Sequence, residues 1–371
     1  MQKRKSVFIA ATGQNVGKTT VCLGLIAGLK KRFAKVGFIK PIGQQHVKID
    51  ESTLVDKDAV LFKKYFNLNT GWALMSPVII PSGFTRDYID QKISETALLE
   101  KIQKSFQIMS ESNDYTIVEG TGHVGVGSIV NLNNAKVAAA LGLDIIIVAS
   151  GGLGSSYDEL ALNISLCEKY NVPIRGIILN RVLEEKMEMI CDYFPRALKE
   201  WNIPLIGSIP FNEFLSKPTV KDFEALFETS LLSGEKYHYR HFVNFRLVAG
   251  SLEAYREELL PNVLIITPAT REDIILETIE IHKIVQKEQE QGFEGGMILT
   301  GRHPPSQALL SEIKKTDIPT LYAPLCSYDA MKMITSYVAK IGTKDTLKIE
   351  KAIKLVEDHV NFDLIAPQKD K

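Results

Sequence analysis

A glycine-containing segment near the amino end of the chain has the residue types of a phosphate-binding loop. Residues 11–20 read Ala-Thr-Gly-Gln-Asn-Val-Gly-Lys-Thr-Thr and lie between a β-branched run and a helical pattern. Backbone N–H groups at a helix start bind phosphate oxygens, Lys18 supplies a positive charge, and the hydroxyl of Thr19 is a ligand for Mg²⁺. The strict motif has glycine where Thr12 stands, and the nearest glycine is Gly13. The segment therefore predicts a phosphate site with an altered first turn.

Two acidic residues are candidates to complete a magnesium site. Glu119 directly follows the apolar run 115–118, which places it at the carboxyl end of a predicted strand, where ligands bind open α/β sheets. Asp58 is the second candidate. A carboxylate beside the Thr19 hydroxyl and two phosphates forms an oxygen ligand set for Mg²⁺. The alternative for both residues is a surface charge on a loop.

Lys40 and a glycine-rich loop are expected at the same edge of the sheet. Lys40 ends the second β-branched run, and Pro41 prevents the strand from continuing. We predict catalytic roles for Lys18 and Lys40; the alternative for Lys40 is a side chain that extends from the sheet edge into water. The loop 119–127 has enough glycine to fold closely around a ligand. His123 in this loop is interpreted as a hydrogen-bonding residue rather than a catalyst.

The segments that must position these residues are uniformly apolar runs with helical patterns between them. Uniform rather than alternating runs are typical of strands covered on both faces, as in a parallel sheet between two layers of helices. The first two hundred residues therefore predict one α/β domain. Its strands are expected at Ser6–Ala11, Lys35–Lys40, Tyr115–Val118, Asp144–Ala149, Gly176–Leu179 and Leu205–Ile209.

A second, smaller α/β series follows an aromatic and charged stretch without a clear strand pattern, which we interpret as a connector. A helix is predicted from 270–273 to near Gly292, and the last helix at about 344–360. The second series has its strands at Phe245–Ala249, Val263–Thr267, Met297–Thr300 and Thr320–Tyr322. The predicted divisions are a domain at 1–211, a connector at 212–241, a domain at 242–343, and a helix and tail at 344–371.

Composition excludes several classes of function. The 371 residues include 44 Lys plus Arg and 44 Asp plus Glu, so no global positive field is available for nucleic acid or an anionic membrane. The four cysteines are scattered without a metal-ligand spacing, which indicates a reducing, cytoplasmic setting. The apolar run after the basic start is too short for a signal peptide, and the stretch 137–153 is interrupted by Asp144 and glycines. We therefore expect no export signal and no membrane partner.

Taken in order, the motifs of residues 1–211 resemble the dethiobiotin synthetase-like P-loop NTPases. The resemblance implies a P-loop NTPase-type parallel sheet with helices on both faces. The shared motifs are V-G-K-T at 16–19, K-P at 40–41, V-E-G at 118–120, a turn similar to L-G-S within 148–155, a strand ending in Asn180, and G-x-I-P at 207–210.

This resemblance implies ATP and Mg²⁺ as cofactors. The metal ligands would be Thr19, Asp58 and Glu119, and a base-recognising asparagine would be Asn180. Gln44 stands near the place of a substrate-side serine of the family, so the family's diamino acid substrate is not expected here. The residues expected to contact ATP are Gly13, Gln14, Asn15, Val16, Gly17, Lys18, Thr19, Thr20 and Asn180.

The second half resembles the DRTGG domain. The pair of domains is similar to the non-catalytic amino-terminal region of long bacterial phosphate acetyltransferases. Because this chain stops where their acyl-transfer domain would begin, we do not expect it to be a phosphate acetyltransferase by itself. Arg271, Glu272 and Asp273 are ligand candidates or, alternatively, charges that favour a helix start. The matching segments are 246–250, 263–273, 295–301, 318–322 and 327–329.

Two functions remain open. The favoured hypothesis is a nucleotide-dependent sensor that passes the state of its P-loop to the DRTGG half, which binds an unknown small molecule, and to a partner in acyl-phosphate or acetyl-CoA metabolism. The alternative is an ATPase or ATP-dependent ligase in which Lys18 and Mg²⁺ stabilise charge on the γ-phosphate and Lys40 binds an acidic substrate. By analogy with the fold, a homodimer is expected.

Overall fold

The computed structural model describes residues 5–51, 53–288 and 293–366 of the chain. The described residues form two compact units. The first contains those up to Asn212 and from Ile341 onward, and the second is Glu213–Lys340. No helix in the described ranges is long and apolar enough to cross a membrane.

The first unit is built on a parallel sheet with helices packed against it, as the apolar runs predicted. Its strands are β1 (Ser6–Ala11), β2 (Val36–Ile39), β3 (Ile42–Gly43), β4 (His46–Lys48), β5 (Leu54–Asp56), β6 (Val78–Ile79), β7 (Tyr115–Glu119), β8 (Ile145–Ser150), β9 (Ile174–Val182) and β10 (Leu205–Pro210). Its first helices are α1 (Lys18–Lys30), α2 (Lys57–Phe66), α3 (Trp72–Met75), α4 (Phe84–Ile89), α5 (Glu95–Ser112), α6 (Asn134–Ala140), α7 (Gly154–Lys169) and α8 (Met187–Ala197).

The strand order puts the predicted site residues next to one another. The main sheet runs β10-β9-β8-β1-β7-β2, with every neighbouring pair parallel. Strand β1 is completely buried, and its Ile9 pairs with Glu119 at the end of β7. Strands β3 and β6 form a separate two-stranded sheet, and so do β4 and β5. The loops after β1, β2 and β7 therefore leave the sheet at the same edge.

The second unit contains α9 (Glu213–Ser216), α10 (Val220–Leu226), β11 (Leu231–Ser233), β12 (Asn244–Leu247), α11 (Leu252–Glu257), β13 (Val263–Pro268), α12 (Glu272–Glu288), β14 (Gly296–Thr300), α13 (Gln307–Lys314), β15 (Thr320–Ala323) and α14 (Ser327–Ser336). Its sheet order is β11-β15-β14-β13-β12, with β11 antiparallel and the other pairs parallel. The four predicted strands are confirmed. The predicted end of α12 near Gly292 lies outside the described residues.

The predicted connector at 212–241 is wrong. Most of this segment belongs to the second unit, where it forms α9, α10 and β11. Val220 and Phe223 are buried in the core against Phe242 and Leu264 of the second unit. Strand β11 was not predicted because it is only three residues long and the aromatic residues around it do not recur with the period of a strand or a helix. The segment is structural, and its apolar side chains cover one face of the sheet.

The chain returns to the first unit through α15 (Thr346–His359) and α16 (Phe362–Ile365). A helix was expected here, but its packing partner was not. Helix α15 lies against α1, and a Cβ atom on Gly24 would meet the Cβ atom of Val356 at 2.2 Å. Gly28 faces the ring of Phe362 in the same way, at 2.3 Å. Glycine is required at both places because the helices approach too closely for a side chain.

Candidate functional site

The loop between β1 and α1 has the geometry of a phosphate-binding loop. Gly17 is left-handed, with φ of +103°, and a Cβ atom there would lie 2.2 Å from Nδ2 of Asn180. Helix α1 begins at the next residue, and in the described part of the chain no side chain caps its amino end. The first N–H groups of a helix carry partial positive charge and lack intrahelical partners. The amino end of α1 is therefore open to an anion.

Lys18 lies beside this helix end and is 8% exposed. Its ammonium donates a hydrogen bond of 2.7 Å to the carbonyl oxygen of Gly122, in the loop after β7. Burial lowers the pKa of Lys18, and the Glu119 carboxylate opposes this effect. Because Lys18 is buried, leaving its ammonium without a partner would be costly. A phosphate group at the helix end would replace the carbonyl oxygen of Gly122 as that partner.

Glu119, a predicted metal ligand, contacts the start of α1 directly after the phosphate-binding loop. It is fully buried, and its Oε1 accepts a hydrogen bond of 3.2 Å from the hydroxyl of Thr19. Its other oxygen, Oε2, is buried without a hydrogen-bond partner among the described residues. Burial raises the pKa of Glu119 to about 7, against the opposing charge of Lys40. An unpartnered carboxylate oxygen beside a threonine hydroxyl suits a cation.

Lys40 is enclosed by carboxylates. The residue is 5% exposed. Its ammonium contacts Asp58 directly, lies 3.0 Å from Oε1 of Glu119, and lies 4.0 Å from Oδ1 of Asp56. Burial alone would lower the pKa of Lys40, but Asp58 and Glu119 outweigh it and hold this pKa well above the ordinary value. The structure therefore brings Lys40, Asp58 and Glu119 together, while the predicted contact with an acidic substrate has no free ammonium to make it.

Asp56 was missed as a site residue. It is 2% exposed and caps α2, where its side chain accepts a hydrogen bond of 2.9 Å from the N–H of Asp58. Burial raises the pKa of Asp56, with Lys40 opposing. The sequence signal was present, since Val-Asp-Lys-Asp offers two carboxylates, one of them at the N-cap of a helix. Asp56 positions Asp58 and adds negative charge around Lys40.

Two asparagines hold the glycine-rich loop at the site. The Asn134 amide donates to the carbonyl oxygens of Thr121 and His123, at 2.8 and 2.7 Å. Asn163 accepts from the N–H of Val124 at 3.1 Å. The imidazole of His123 is exposed and accepts a hydrogen bond from the N–H of Gly125. This local contact agrees with the expectation that His123 is a hydrogen-bonding residue.

The other predicted ATP-contacting residues lie on or beside the loop. Gln14 and Asn15 are exposed, Gly13 and Thr20 are half-buried, and Val16 is buried. Asn180, two residues before the end of β9, donates a hydrogen bond of 2.7 Å to the carbonyl oxygen of Val16. In this structure Asn180 positions the loop, and its recognition of a base stays a prediction. The hydroxyl of Thr12, which stands where the motif has glycine, donates to Glu159 at 2.8 Å.

The charged residues singled out in the second unit make local contacts. Arg271 pairs with Asp273 through two hydrogen bonds, of 2.8 and 2.7 Å, and donates to the carbonyl oxygen of Gly250 at 2.9 Å. Glu272 accepts from the hydroxyl of Ser306 at 3.0 Å. These contacts favour the interpretation of the three charges as residues that fix the start of α12.

Within the described residues, no three His, Cys, Asp or Glu side chains are grouped to hold a metal ion. A metal at the Glu119 edge would therefore need oxygen ligands beyond carboxylates. Thr19, Asp58 and Glu119 offer one hydroxyl and two carboxylates, and phosphate oxygens and water would supply the rest, as Mg²⁺ sites ordinarily do. The donor set fits a magnesium ion bound together with a nucleotide.

The pKa of Glu119 predicts how stability depends on pH. Its carboxyl group has a pKa of about 7 in the folded protein, against an ordinary 4.5, so between these values the folded state binds more protons than the unfolded state. The contribution of Glu119 to the free energy of unfolding is therefore largest in acid and is lost as the pH rises to about 7. Urea titrations across this range, in buffer without Mg²⁺ or nucleotide, would measure it.

The variant Glu119→Gln should remove this part of the pH dependence. Glu184→Gln changes an exposed glutamate in a short 3-10 helix and should leave the dependence unchanged. If the two variants and the original chain lose stability in parallel between pH 4.5 and 7, Glu119 does not take up a proton on folding.

Residues 5–219 match the AAA_26 family, described as an AAA domain, so the chain belongs to this P-loop family. Residues 225–337 match the DRTGG domain. The two matches agree with the resemblances drawn from the motifs.

The chain spans about half the length of the first curated relatives that it matches. It is 27% identical to a phosphate acetyltransferase of Pseudomonas aeruginosa over 96% of this chain and 51% of that protein. A phosphate acetyltransferase of Nitrosomonas europaea is 24% identical, with the same coverage. A probable cobyric acid synthase of Methanococcus maripaludis is 22% identical over 80% of this chain and 66% of its own length. The match to the first two agrees with the resemblance to the amino-terminal region of long phosphate acetyltransferases.

Solved structures also match the chain. A plasmid partition protein from Borrelia burgdorferi is 19% identical, covers 57% of this chain and 92% of its own, and has a TM-score of 0.37. The MinC:MinD cell division complex of Aquifex aeolicus is 18% identical, covers 57% of this chain and 84% of the matched chain, and has a TM-score of 0.36.

Proposed function

We propose that this protein is a sensor that binds Mg-ATP at its P-loop and passes the bound state to its DRTGG unit. The observation that carries the proposal is the open amino end of α1, with the buried ammonium of Lys18 beside it. The family match to residues 5–219 supports a nucleotide as the ligand. The resemblance of the first unit to the dethiobiotin synthetase-like P-loop NTPases supports adenine rather than guanine as the base.

Magnesium would be held by Thr19, Asp58 and Glu119. When bound, the ion neutralises charge on the β- and γ-phosphates. The hydroxyl of Thr19 already lies 3.2 Å from Oε1 of Glu119, and the second oxygen of Glu119 has no hydrogen-bond partner among the described residues. Lys18 would bind the phosphates from the helix side.

The environment of Lys40 favours a sensor over an enzyme that binds an acidic substrate. Asp56, Asp58 and Glu119 lie within 4.0 Å of its ammonium. The ammonium of Lys40 is already engaged by these carboxylates, so it has no free charge with which to bind an anionic substrate. The amino end of α1 and Lys18 therefore suit a phosphate, whereas Lys40 is poorly suited to bind a carboxylate substrate.

Chain connectivity supplies a route for the signal. The second unit is inserted between β10 and α15, two elements of the first unit. Helix α15 packs on α1, the helix that begins at Lys18, at Gly24, and α16 contacts the same helix at Gly28. A shift of α1 on phosphate binding would act on α15 and hence on the segment that leaves the DRTGG unit.

The relatives named phosphate acetyltransferase support a link of this sensor to acyl-phosphate and acetyl-CoA metabolism, through an enzyme of that pathway as partner. The small molecule bound by the DRTGG unit would belong to the same metabolism. The homodimer expected from the sequence stays a prediction.

One observation favours the alternative, an ATP-dependent ligase or phosphoryl-transfer enzyme that acts on a small carboxylate or amine. Burial raises the pKa of Glu119 to about 7, in the range where a carboxyl group exchanges protons readily in catalysis.

Hydrogen exchange and phosphate release together test the proposal. On addition of Mg-ATP, amides within residues 245–330 should exchange more slowly in the original chain and not in Lys18→Ala, while phosphate release stays slow. ATP binding without any change of exchange in 245–330 would contradict the coupling. Rapid phosphate release on adding a small carboxylate or amine would establish the enzyme instead.

A further inference from the structure

The ammonium of Lys40 lies where the predicted metal carboxylates converge. Lys40 directly follows β2 and precedes Pro41, so it lies at the point where the chain leaves the sheet. The side chain is 6% exposed, and its ammonium contacts Asp58 and lies 3.0 Å from Oε1 of Glu119. These are the two carboxylates that the magnesium site requires.

A single oxygen shows the overlap most clearly. Oε1 of Glu119 accepts hydrogen bonds from Lys40 at 3.0 Å and from the hydroxyl of Thr19 at 3.2 Å. Thr19 and Glu119 are both expected to hold the metal. An ion coordinated by this oxygen and by Asp58 would meet the ammonium of Lys40 in the same small volume, and two cations would repel each other there.

We propose that Lys40 substitutes for the metal ion in the nucleotide-free protein, so that Mg²⁺ enters only by displacing its ammonium from Asp58 and Glu119. This inference rests on the magnesium site of the proposed function. The ammonium neutralises the fully buried carboxylate of Glu119 and the half-buried one of Asp58, and leaving a buried carboxylate without a compensating charge is costly. Mg²⁺ must displace this ammonium in order to bind. The phosphates of the nucleotide are needed to favour that displacement, so metal binding depends on the nucleotide.

Asp56 provides a place for the displaced ammonium. It lies 4.0 Å from Nζ of Lys40 and is not among the expected metal ligands. Its side chain is fixed as the cap of α2. Lys40 can therefore keep one ionic partner while Asp58 and Glu119 turn to the metal, and the exchange leaves no buried charge alone.

The test measures metal binding without nucleotide, with Mn²⁺ as the probe and electron paramagnetic resonance as the readout of free metal. Lys40→Met should bind Mn²⁺ at least about tenfold more tightly than the original chain, because one positive charge is removed from the site. Lys40→Arg keeps the charge and should show no gain. The double variant Lys40→Met with Glu119→Gln should lose the gain.

Lys92→Met is the matched control. Lys92 also lies between two carboxylates, Asp87 at 3.2 Å and Asp90 at 3.0 Å, but its side chain is 63% exposed. Its removal should not change Mn²⁺ binding. An equal gain in Lys92→Met would show a general effect of charge and overturn the proposal.

Folding of the variant is monitored by circular dichroism. A folded Lys40→Met with the Mn²⁺ affinity of the original chain overturns the proposal. If Lys40→Met unfolds, refolding on addition of Mg²⁺ supports the exchange, and failure to refold contradicts it. Nucleotide binding by the original chain and Lys18→Ala is measured separately, so that a failed metal exchange is distinguished from a failure of the proposed nucleotide site.

Discussion

Replacing Lys18 by alanine is expected to lower the affinity for Mg-ATP by about 100-fold or more. Lys18 is 8% exposed, and its ammonium lies beside the open end of α1, where water screens its attraction to phosphate only weakly. The hydrogen bond that the substitution removes goes to the carbonyl oxygen of Gly122, which another partner or water can take over. Calorimetric titration of both proteins with Mg-ATP would measure the loss.

Lys30→Ala is the control for this variant. Lys30 belongs to the last turn of the same helix, and its ammonium donates to the carbonyl oxygen of Phe66 at the surface, at 3.2 Å. Its removal should leave the affinity for ATP unchanged. If folded Lys18→Ala binds Mg-ATP as tightly as the original chain, the loop is not the nucleotide site.

Replacing Gly24 by valine is expected to lower the free energy of unfolding by about 2–3 kcal/mol. A Cβ atom at this position would lie 2.2 Å from Cβ of Val356 and 2.6 Å from its Cγ1, so the branched side chain forces α15 away from α1. Val356 is itself fully buried and has no space to retreat. Urea unfolding would measure the loss, and hydrogen exchange would locate it in α1 and α15.

Gly154→Val tests whether the effect comes from contact or from valine itself. Gly154 also lies in a helix of the first unit, but no atom approaches within 4 Å of a Cβ atom placed there. Its replacement should change stability by less than about 1 kcal/mol. Equal losses in the two variants would mean that α15 does not pack tightly on α1.

The strands were predictable because burial on both faces leaves a direct mark on the sequence. Runs such as Ser6–Ala11 and Val263–Thr267 are apolar without alternation, and the structure has strands at Ser6–Ala11 and Val263–Pro268. The short strand Leu231–Ser233 carries no such mark, since it lies at an edge of its sheet and pairs with β15 alone among the described strands. Its place is set by tertiary contacts, which local sequence does not reveal.

The candidate site was predictable where single motifs define it and unpredictable where distant segments meet. Lys18, Thr19 and Glu119 follow from the loop and from the ends of parallel strands. The ion pairs of Lys40 depend on how β2 is placed beside α2 and β7, and no spacing in the sequence gives those distances. The packing of α15 on α1 joins residues more than three hundred positions apart, and the glycines of α1 alone did not indicate it.

The central claim is that the P-loop binds Mg-ATP. It is tested most directly by thermal and urea unfolding of the original chain with ATP, ADP or GTP, each with and without Mg²⁺. ATP with Mg²⁺ at about 100 times its dissociation constant should raise the free energy of unfolding by about 2.7 kcal/mol, with a smaller effect of GTP at the same concentration. No change with any nucleotide, at concentrations up to several millimolar, would contradict the claim.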